Sequence, residues 1–377
     1  MRILYLTPGC FDKGGISRYC RYQISALREL VGHDNVRVYS VLGPDTDSFE
    51  SSIDVTWSAG GLSTRSKLGF VSRVVAESVR FRPDVVLAAH INLSALACAV
   101  AAPIRAGTVL NTYGSEVWSG FRPDSAWGLK RSQRVIADCH FTARYLEETG
   151  LRPGGSVGVI WDCVDLTQFH PGAPRAEVLT RYGLPDPSTG ITLMTLGRMS
   201  AGAAHKGYQR LFDVFSRVAA RVPNLRLVYG GRGELVEELR AQAIQASLQD
   251  RVFFTGMIRE EDLCDVYRAA DIFSLVSDRG PNRGEGIPLT PLEAAACGVP
   301  ILVGNDDGSQ EAVVQGVNGY VLAPFDLQSH AERVVELATD AVQRRRMSEG
   351  ALRYIREEFT YERFVVRTKE LFDRWFG

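Results

Sequence analysis

Two carboxylates eight residues apart, Glu285 and Glu293, stand in the stretch of this sequence that is best suited to chemistry. Glu285 lies in a segment rich in glycine and proline, and Glu293 falls one turn into a helix predicted to begin near Thr290. Free backbone N–H groups and the positive end of the helix dipole favour an anion such as a diphosphate there. The segment assigned to this anion comprises Gly286, Ile287, Pro288, Leu289 and Thr290, of which all but Pro288 carry a backbone N–H. Glu293 can then accept hydrogen bonds from a diol such as a ribose.

Two basic residues provide the complementary charge. Arg198 follows a predicted strand and Gly197, and Lys206 precedes the next predicted helix. Fixed cations can neutralise a diphosphate, a task that otherwise falls to a metal ion. Two basic residues in a loop are usually solvated surface, but the Glu pair favours ligand binding by both.

Further candidates follow the strands of the first half of the chain. Gly14 and Gly15 separate the first strand from the first helix, where small residues permit close approach of a ligand to the backbone. The dinucleotide pattern G-x-G-x-x-G is absent, which argues against hydride transfer. His90 ends one apolar strand, and Tyr113 and Glu116 follow another. A lone histidine is more often structural than functional, so His90 needs further support.

The elements that must position these residues alternate along the whole chain. Short apolar runs and helical patterns predict an α/β fold with parallel sheets wound by helices. The predicted strands span residues 2–6, 35–41, 84–89, 108–112, 134–137, 157–161, 191–196, 225–229, 252–254, 271–275, 300–303 and 319–321. Helices are predicted to start after Lys206, Gly233, Glu260, Thr290 and Ser309.

The strand series restarts after a segment rich in proline and glycine, residues 172–190, which we predict to be an interdomain linker. The predicted domains are residues 1–172 and 188–357, two Rossmann-like lobes facing a central cleft. Residues 358–377 carry apolar side chains at helical spacing, and we predict that this helix crosses back to the first domain.

Composition excludes several classes of protein. The 377 residues carry 43 Lys and Arg against 44 Asp and Glu, which is not the balance of a nucleic-acid binder. The seven cysteines show neither metal-ligand nor disulfide spacing, so we expect reduced thiols, no metal and a cytoplasmic protein. The apolar start is too short for a signal peptide. Oligomeric state is not legible in the sequence.

Two weaker signals carry competing interpretations. Asp45 and Asp47 match a metal-binding D-x-D pattern, but they lie in a loop rich in proline and serine far from the Glu pair. Residues 65–82 form a basic helix that could lie on an anionic membrane. Its apolar positions Leu68, Val71, Val75 and Val79 suit a helix packed on its own sheet equally well, and we favour that packing.

The segment E-x7-E followed by A-A-C-G-V-P, after the strand D-I-F-S-L, resembles the signature of the retaining GT-B glycosyltransferases of family 4, glycosyl transferases group 1. The resemblance extends over essentially the whole chain. It implies that Glu285 contacts donor sugar hydroxyls, that Glu293 holds the nucleoside ribose, and that Arg198 and Lys206 bind the phosphates. It also places His90 against the donor sugar, Gly15 near the phosphates and Met257 near the base. Gly14, Tyr113 and Glu116 fall on the acceptor side, although the family often has His-Gly where this chain has Tyr113 and Gly114.

The function implied is sugar transfer with retention of configuration, without a metal, from a nucleotide diphosphate sugar, with a UDP-sugar as the expected donor. The expected acceptor is a hydroxyl of a glycan, a lipid-linked glycan or a small molecule, as in polysaccharide biosynthesis. The alternatives are a sugar nucleotide 2-epimerase and a catalytically silent nucleotide-sugar-binding subunit. No nucleic acid partner is expected, and peripheral contact with the inner face of a membrane stays open.

Overall fold

The computed structural model describes residues 1–12, 14–44, 54–57, 62–118, 120–280 and 283–377. These residues form two compact units, one of Met1–Cys163 with Tyr361–Gly377 and one of Val164–Thr360. The strands are β1 Ile3–Thr7, β2 Val36–Ser40, β3 Thr56–Trp57, β4 Val85–Ala88, β5 Gly107–Thr112, β6 Arg134–Ala137, β7 Val157–Val159, β8 Ile191–Leu196, β9 Leu225–Gly230, β10 Val252–Phe254, β11 Ile272–Leu275, β12 Ile301–Gly304 and β13 Gly319–Leu322. The helices are α1 Gly15–Val31, α2 Thr64–Phe81, α3 Ser94–Ile104, α4 Pro123–Arg131, α5 His140–Glu148, α6 Ala176–Tyr182, α7 Tyr208–Val218, α8 Leu235–Gln245, α9 Leu263–Arg268, α10 Leu289–Ala296, α11 Leu327–Thr339, α12 Ala341–Glu358 and α13 Tyr361–Phe376.

The first unit is built on a parallel sheet in the order β3-β2-β1-β4-β5-β6-β7. Helices cover both faces, so the strands are buried on both sides and read as continuous apolar runs. In β1, for example, Ile3 and Tyr5 join the core on one face while Leu4 and Leu6 join the core on the other. The strand order reverses between β1 and β4, where the loops that carry Gly14 and His90 begin.

The second unit repeats this plan with six parallel strands in the order β10-β9-β8-β11-β12-β13. Its strand order reverses between β8 and β11. Ligands of open α/β sheets bind at the carboxyl ends of the strands where the order reverses. The predicted α/β class with two Rossmann-like parallel sheets is therefore confirmed.

Helix α13 belongs to the first unit, although it ends the chain. Its Phe364 ring lies 5.3 Å from the Tyr19 ring of α1, and Phe364, Leu371 and Phe372 join the core. Tyr361 Oη donates to Glu29 Oε1 over 2.6 Å. The apolar pattern at the end of the sequence thus predicted the surface that this helix covers.

Residues 172–190, predicted to link the domains, fold within the second unit, because the chain passes between the units at Cys163 and Val164. The buried Asp262 accepts hydrogen bonds from Arg175 Nη2 at 3.0 Å, Arg181 Nη1 at 2.6 Å and Tyr182 Oη at 2.8 Å. These bonds fix α6 and its flanks. Proline and glycine are typical of linkers, but composition does not reveal such a distant carboxylate partner.

The prediction that Leu68, Val71, Val75 and Val79 of α2 pack on the sheet is wrong. Leu68 is 66 % exposed and Val79 is 62 % exposed, whereas Phe70 and Val74 of the same helix are buried. The sequence contains two apolar stripes, and the one formed by Phe70 and Val74 packs on the unit. No helix in the described part of the chain has the length and hydropathy needed to cross a membrane.

Candidate functional site

The predicted site residues of the second unit lie in the loops that follow β8 and β11, the two strands between which the strand order reverses. Gly197 and Arg198 follow β8 directly, and Lys206 ends the short 3-10 turn Ala201–Lys206 before α7. Glu285 and Gly286 lie between β11 and α10. The parallel register places the ends of β8 and β11 side by side, with Met194 opposite Phe273. The fold therefore brings together two sequence segments about eighty residues apart.

Glu285 is the centre of this cluster. Its Oε1 lies 2.8 Å from Lys206 Nζ and 2.8 Å from His205 Nε2. Burial raises the pKa of the Glu285 carboxyl, but the charge of Lys206 and the hydrogen bonds from His205 and Lys206 outweigh burial and lower it to about 2. Glu285 is thus a carboxylate at any working pH, held by two donors on one oxygen.

His205 was not among the predicted site residues, although it directly precedes Lys206. Its carbonyl accepts hydrogen bonds from the Asp278 N–H at 2.9 Å and from Arg210 Nη2 at 3.1 Å. Arg210 Nη1 in turn lies 2.8 Å from Asp278 Oδ1. These bonds tie the loop after β8 to the loop after β11 and fix the imidazole against Glu285.

Gly197 permits the close packing behind this cluster. A Cβ at position 197 would lie 2.5 Å from Tyr208 Oη, so any larger residue would displace that buried ring. Burial raises the pKa of Tyr208, the charge of Glu285 raises it further, and the charge of Arg198 lowers it. Arg198 is exposed two residues after the end of β8, so it lies on the same edge of the sheet as Glu285.

Helix α10 begins without a side-chain cap, because Pro288 occupies its N-cap position. Its first backbone N–H groups, on Leu289 and Thr290, therefore have no capping side chain, and Thr290 Oγ1 is buried without a hydrogen-bond partner among the described residues. Glu293 is buried one turn later, and Tyr267 Oη donates to its Oε2 over 2.7 Å. The positive end of α10 and an oriented carboxylate thus occur within one short segment.

The remaining predicted donor residues flank this segment. Ile287 is buried just before α10, and Pro288 joins it to the helix. Met257 is 46 % exposed and follows β10, where the backbone of the preceding Gly256 bridges to Gly231. Met257 therefore lies at the same carboxyl edge of the sheet, beyond β9.

A second carboxyl that was not predicted, Asp307, holds the Glu285 loop. Asp307 Oδ2 accepts the Glu285 N–H at 3.0 Å and the Ser277 hydroxyl at 2.8 Å, while Oδ1 accepts the Ser309 N–H at 3.0 Å. Burial and the charge of Glu285 raise the pKa of Asp307 to about 6, against the effect of its hydrogen bonds. Asp307 thus positions the loop and titrates near neutral pH.

This raised pKa predicts how stability depends on pH. Between about pH 4 and pH 6 the folded chain binds a proton at Asp307 that the unfolded chain has released, so the free energy of unfolding falls as pH rises. Relative to Asp307→Asn, which cannot titrate, wild type should lose about 2 kcal/mol between these limits. Because all five tryptophans lie in the first unit, urea unfolding should be followed by circular dichroism. A stability difference that stays flat or grows with pH would contradict the raised pKa.

In the first unit, His90 follows β4 and begins a short 3-10 turn, Ile91–Leu93. Its Nδ1 accepts the Asn92 N–H at 3.2 Å, so the neutral ring carries its proton on Nε2. Burial lowers the pKa of His90, which favours this neutral form. The imidazole is therefore oriented as a hydrogen-bond donor at the carboxyl edge of the sheet.

The loop between β1 and α1 differs from a plain anion-binding turn. Gly14 is the N-cap of α1, and Asp12 Oδ1 accepts its N–H at 2.8 Å. Asp12 Oδ2 accepts the hydroxyl of Ser17. The carboxylate thus occupies part of the positive end of α1, beside Gly15, where a phosphate was predicted.

Tyr113 and Glu116 follow β5, but their side chains turn inward. Tyr113 is 8 % exposed, and its hydroxyl accepts from Asn111 Nδ2 at 3.3 Å and lies 3.8 Å from Cys20 Sγ. Glu116 Oε1 accepts the Tyr113 N–H, and burial raises the Glu116 pKa to about 7. The Tyr113 ring therefore packs in the core, and the Glu116 carboxyl stabilises the turn that follows β5.

The next features are the cysteines and the potential metal ligands of the described ranges, which hold no disulfide. All seven cysteines are free and buried. Within those ranges no cluster of three or more His, Cys, Asp or Glu side chains has the geometry of a metal site. The D-x-D pattern at Asp45 and Asp47 lies outside the described residues.

The chain has two α/β units, each with a parallel sheet, which is the GT-B class of architecture. The second unit carries a carboxylate and a lysine where its strand order reverses. Two family models match the chain, Glycosyltransferase Family 4 over residues 13–168 and Glycosyl transferases group 1 over residues 186–353. The chain therefore belongs to the family 4 type of GT-B glycosyltransferases.

Curated relatives and solved structures agree with this assignment. The chain is 29 % identical, over 62 % of its length, to the GDP-mannose-dependent alpha-(1-6)-phosphatidylinositol monomannoside mannosyltransferase of Mycolicibacterium smegmatis, and the match spans 61 % of that relative. It is 35 % identical to the mannosylfructose-phosphate synthase of Agrobacterium fabrum, over 43 % of this chain and 35 % of the relative. Anabaena HepE, solved in complex with UDP, shares the fold with a TM-score of 0.79 at 18 % identity, over 99 % of this chain and 100 % of that one.

Proposed function

We propose that the chain transfers a sugar from a nucleotide diphosphate donor to an acceptor hydroxyl, with retention of configuration and without a metal ion. The observation that carries this proposal is the contact of Lys206 and His205 with Glu285 at the edge where β8 and β11 end. A carboxylate suits sugar hydroxyls, and a lysine beside it suits a phosphate. Both stand next to the uncapped start of α10.

The donor is proposed to bind along the carboxyl edge of the second unit. Its diphosphate would accept from the N–H groups at the start of α10 and from Arg198 and Lys206. An ammonium group has three N–H donors, and Glu285 takes one of them, so two stay available to phosphate oxygens. Glu293, oriented by Tyr267, is proposed to hold the ribose diol.

The proposed transfer breaks the bond between the anomeric carbon and the phosphate oxygen and forms a bond from that carbon to the acceptor oxygen on the same face. The proton of the acceptor hydroxyl passes to the departing phosphate. Arg198 and Lys206 stabilise the charge that develops on this leaving group, which replaces a metal ion in that role. We also propose that His90 of the first unit donates a hydrogen bond to the substrates. Its Nδ1 accepts a hydrogen bond from the turn that orients the ring, and the Nε2–H takes no part in that bond.

The donor is best identified with a panel, because the M. smegmatis relative is named for GDP-mannose while HepE was solved with UDP. We expect one of the UDP-, GDP- or ADP-hexoses to release free nucleotide when the full chain and an acceptor are present. Nuclear magnetic resonance of the product should show the anomeric configuration of the donor, and a chelator should leave the rate unchanged. An isomerised donor would instead identify an epimerase, and binding without release a silent subunit.

A further inference from the structure

Helix α2 presents an apolar stripe to solvent. Leu68, Val71, Val75 and Val79 recur at intervals of three and four residues and are 66 %, 38 %, 44 % and 62 % exposed. This spacing places them on one face of a helix, over a length of about 16 Å. A run of large exposed aliphatic side chains on one face marks an interaction surface more often than a chance distribution does.

The stripe is not the face that holds α2 in the fold. Phe70 and Val74, on the opposite side of the helix, are 3 % and 0 % exposed and join the core of the first unit. Exposing the stripe is therefore compatible with a helix that packs through Phe70 and Val74.

Basic side chains lie beside the start and the end of the stripe. Residues 64–82 contain five basic side chains and one acid, although the whole chain has a net charge of −1. The acid, Glu77, is buried and paired with Arg80. Arg65 and Lys67 precede Leu68 and fall on opposite flanks of the stripe at helical spacing, and Arg82 ends the helix in a left-handed conformation.

An aromatic side chain adjoins the same helix. Arg73 Nη1 donates to the Trp57 carbonyl at 3.0 Å, which ties the end of β3 to α2. Trp57 is 43 % exposed, and Leu62, just before α2, is 63 % exposed. Tryptophan is enriched where protein meets the headgroups of a bilayer, since its ring is partly apolar and its N–H is polar.

We propose that α2 lies on an anionic lipid bilayer, with Leu68, Val71, Val75 and Val79 at the boundary of headgroups and acyl chains. Arg65, Lys67 and Arg82 then meet lipid phosphates, and their aliphatic stems lie along the apolar layer. A second copy of the chain fits this face poorly, because a twofold contact through the stripe would bring its basic flanks together. The surface goes beyond the proposed sugar transfer and does not depend on it.

Vesicle co-sedimentation of the full chain tests the proposal. We expect binding to phosphatidylcholine vesicles that contain about one third phosphatidylglycerol, and at least tenfold weaker binding to phosphatidylcholine alone. The variant Leu68→Ser/Val75→Ser/Val79→Ser should bind the anionic vesicles at least tenfold more weakly, because three apolar side chains no longer enter the bilayer. Arg65→Gln/Lys67→Gln should weaken binding by about tenfold to thirtyfold and reduce its salt dependence.

Matched controls change equivalent side chains elsewhere. Ile244→Ser/Val342→Ser removes two aliphatic side chains that are 60 % and 80 % exposed, and Arg345→Gln/Arg346→Gln removes two exposed charges. Both should bind like wild type. Circular dichroism checks the fold, and the single change Leu68→Ser replaces the triple variant if that variant unfolds.

Several results would overturn the proposal. The first is that wild type does not bind anionic vesicles. The second is that wild type binds neutral and anionic vesicles equally well. The third is that the stripe variants bind anionic vesicles as strongly as wild type does. A wild-type dimer in gel filtration that the stripe variants dissociate would assign the surface to a second copy instead. Because none of these measurements uses a sugar donor, their failure is distinct from failure of the proposed transfer.

Discussion

Lys206→Ala is expected to lower turnover by about a hundredfold to a thousandfold while the chain stays folded. Lys206 is the largest of the influences that lower the pKa of Glu285, and its Nζ lies 2.8 Å from Glu285 Oε1. Its loss removes a fixed cation from the proposed leaving group and leaves Glu285 with His205 as its remaining side-chain donor among these contacts. The rate of nucleotide release at saturating donor measures the effect.

A lysine outside the cluster provides the control. Lys369 pairs with Asp373 on α13 and is 60 % exposed, so Lys369→Ala should keep wild-type turnover. Lys206→Arg keeps the charge but changes its geometry, and we expect it to recover only part of the rate. Circular dichroism should show the same fold in all three variants. Wild-type turnover in Lys206→Ala would refute the assignment of Lys206 to the diphosphate.

The sheets were predictable because parallel strands buried on both faces read as continuous apolar runs. Twelve strands fall within one or two residues of the predicted ranges, for example β8 at Ile191–Leu196. The two-residue strand β3 is too short to leave such a run. The helix predicted after Ser309 is wrong, because the chain there forms only the 3-10 turn Gly308–Ala312, which Asp307 caps by accepting the Ser309 N–H.

The site was predictable only where a motif carries it. Glu285, Glu293 and Lys206 follow from residue type and spacing, whereas Asp307 enters through a hydrogen bond to a loop 22 residues earlier in the chain. The position of Tyr113 directly after a strand does not reveal that its ring joins the core of the first unit. Local sequence does not specify contacts between loops that a parallel sheet brings together.

Helix α2 shows a further limit of periodicity. Its apolar residues form two stripes, and hydropathy alone does not decide which one packs on the sheet. The structure buries Phe70 and Val74 with the acid Glu77 and leaves Leu68 and Val79 exposed. Burial of Glu77 is explained by its pairing with Arg80 and by the Tyr39 hydroxyl, which donates to it at 3.2 Å, so a charged residue marks the packed face here.

Glu285→Gln is the second substitution with a large expected effect. The pKa of about 2 means that wild type carries a carboxylate here at every working pH, and a neutral amide cannot replace its charge toward Lys206 and His205. We expect turnover to fall by about a hundredfold. Glu336→Gln, which changes another partly buried carboxylate paired with Arg333, should leave turnover per folded molecule unchanged.

Binding of the free nucleoside diphosphate separates the proposed roles of Glu285 and Lys206. In Glu285→Gln the affinity should equal or exceed that of wild type, because the lysine released from the carboxylate is available to the phosphates. In Lys206→Ala the affinity should fall. Because the two side chains are in contact, the double variant should lose less turnover than the product of the single losses. Titration calorimetry measures the affinities. If Glu285→Gln loses nucleotide affinity as severely as it loses turnover, the assignment of Glu285 to the hydroxyls of the donor sugar is refuted.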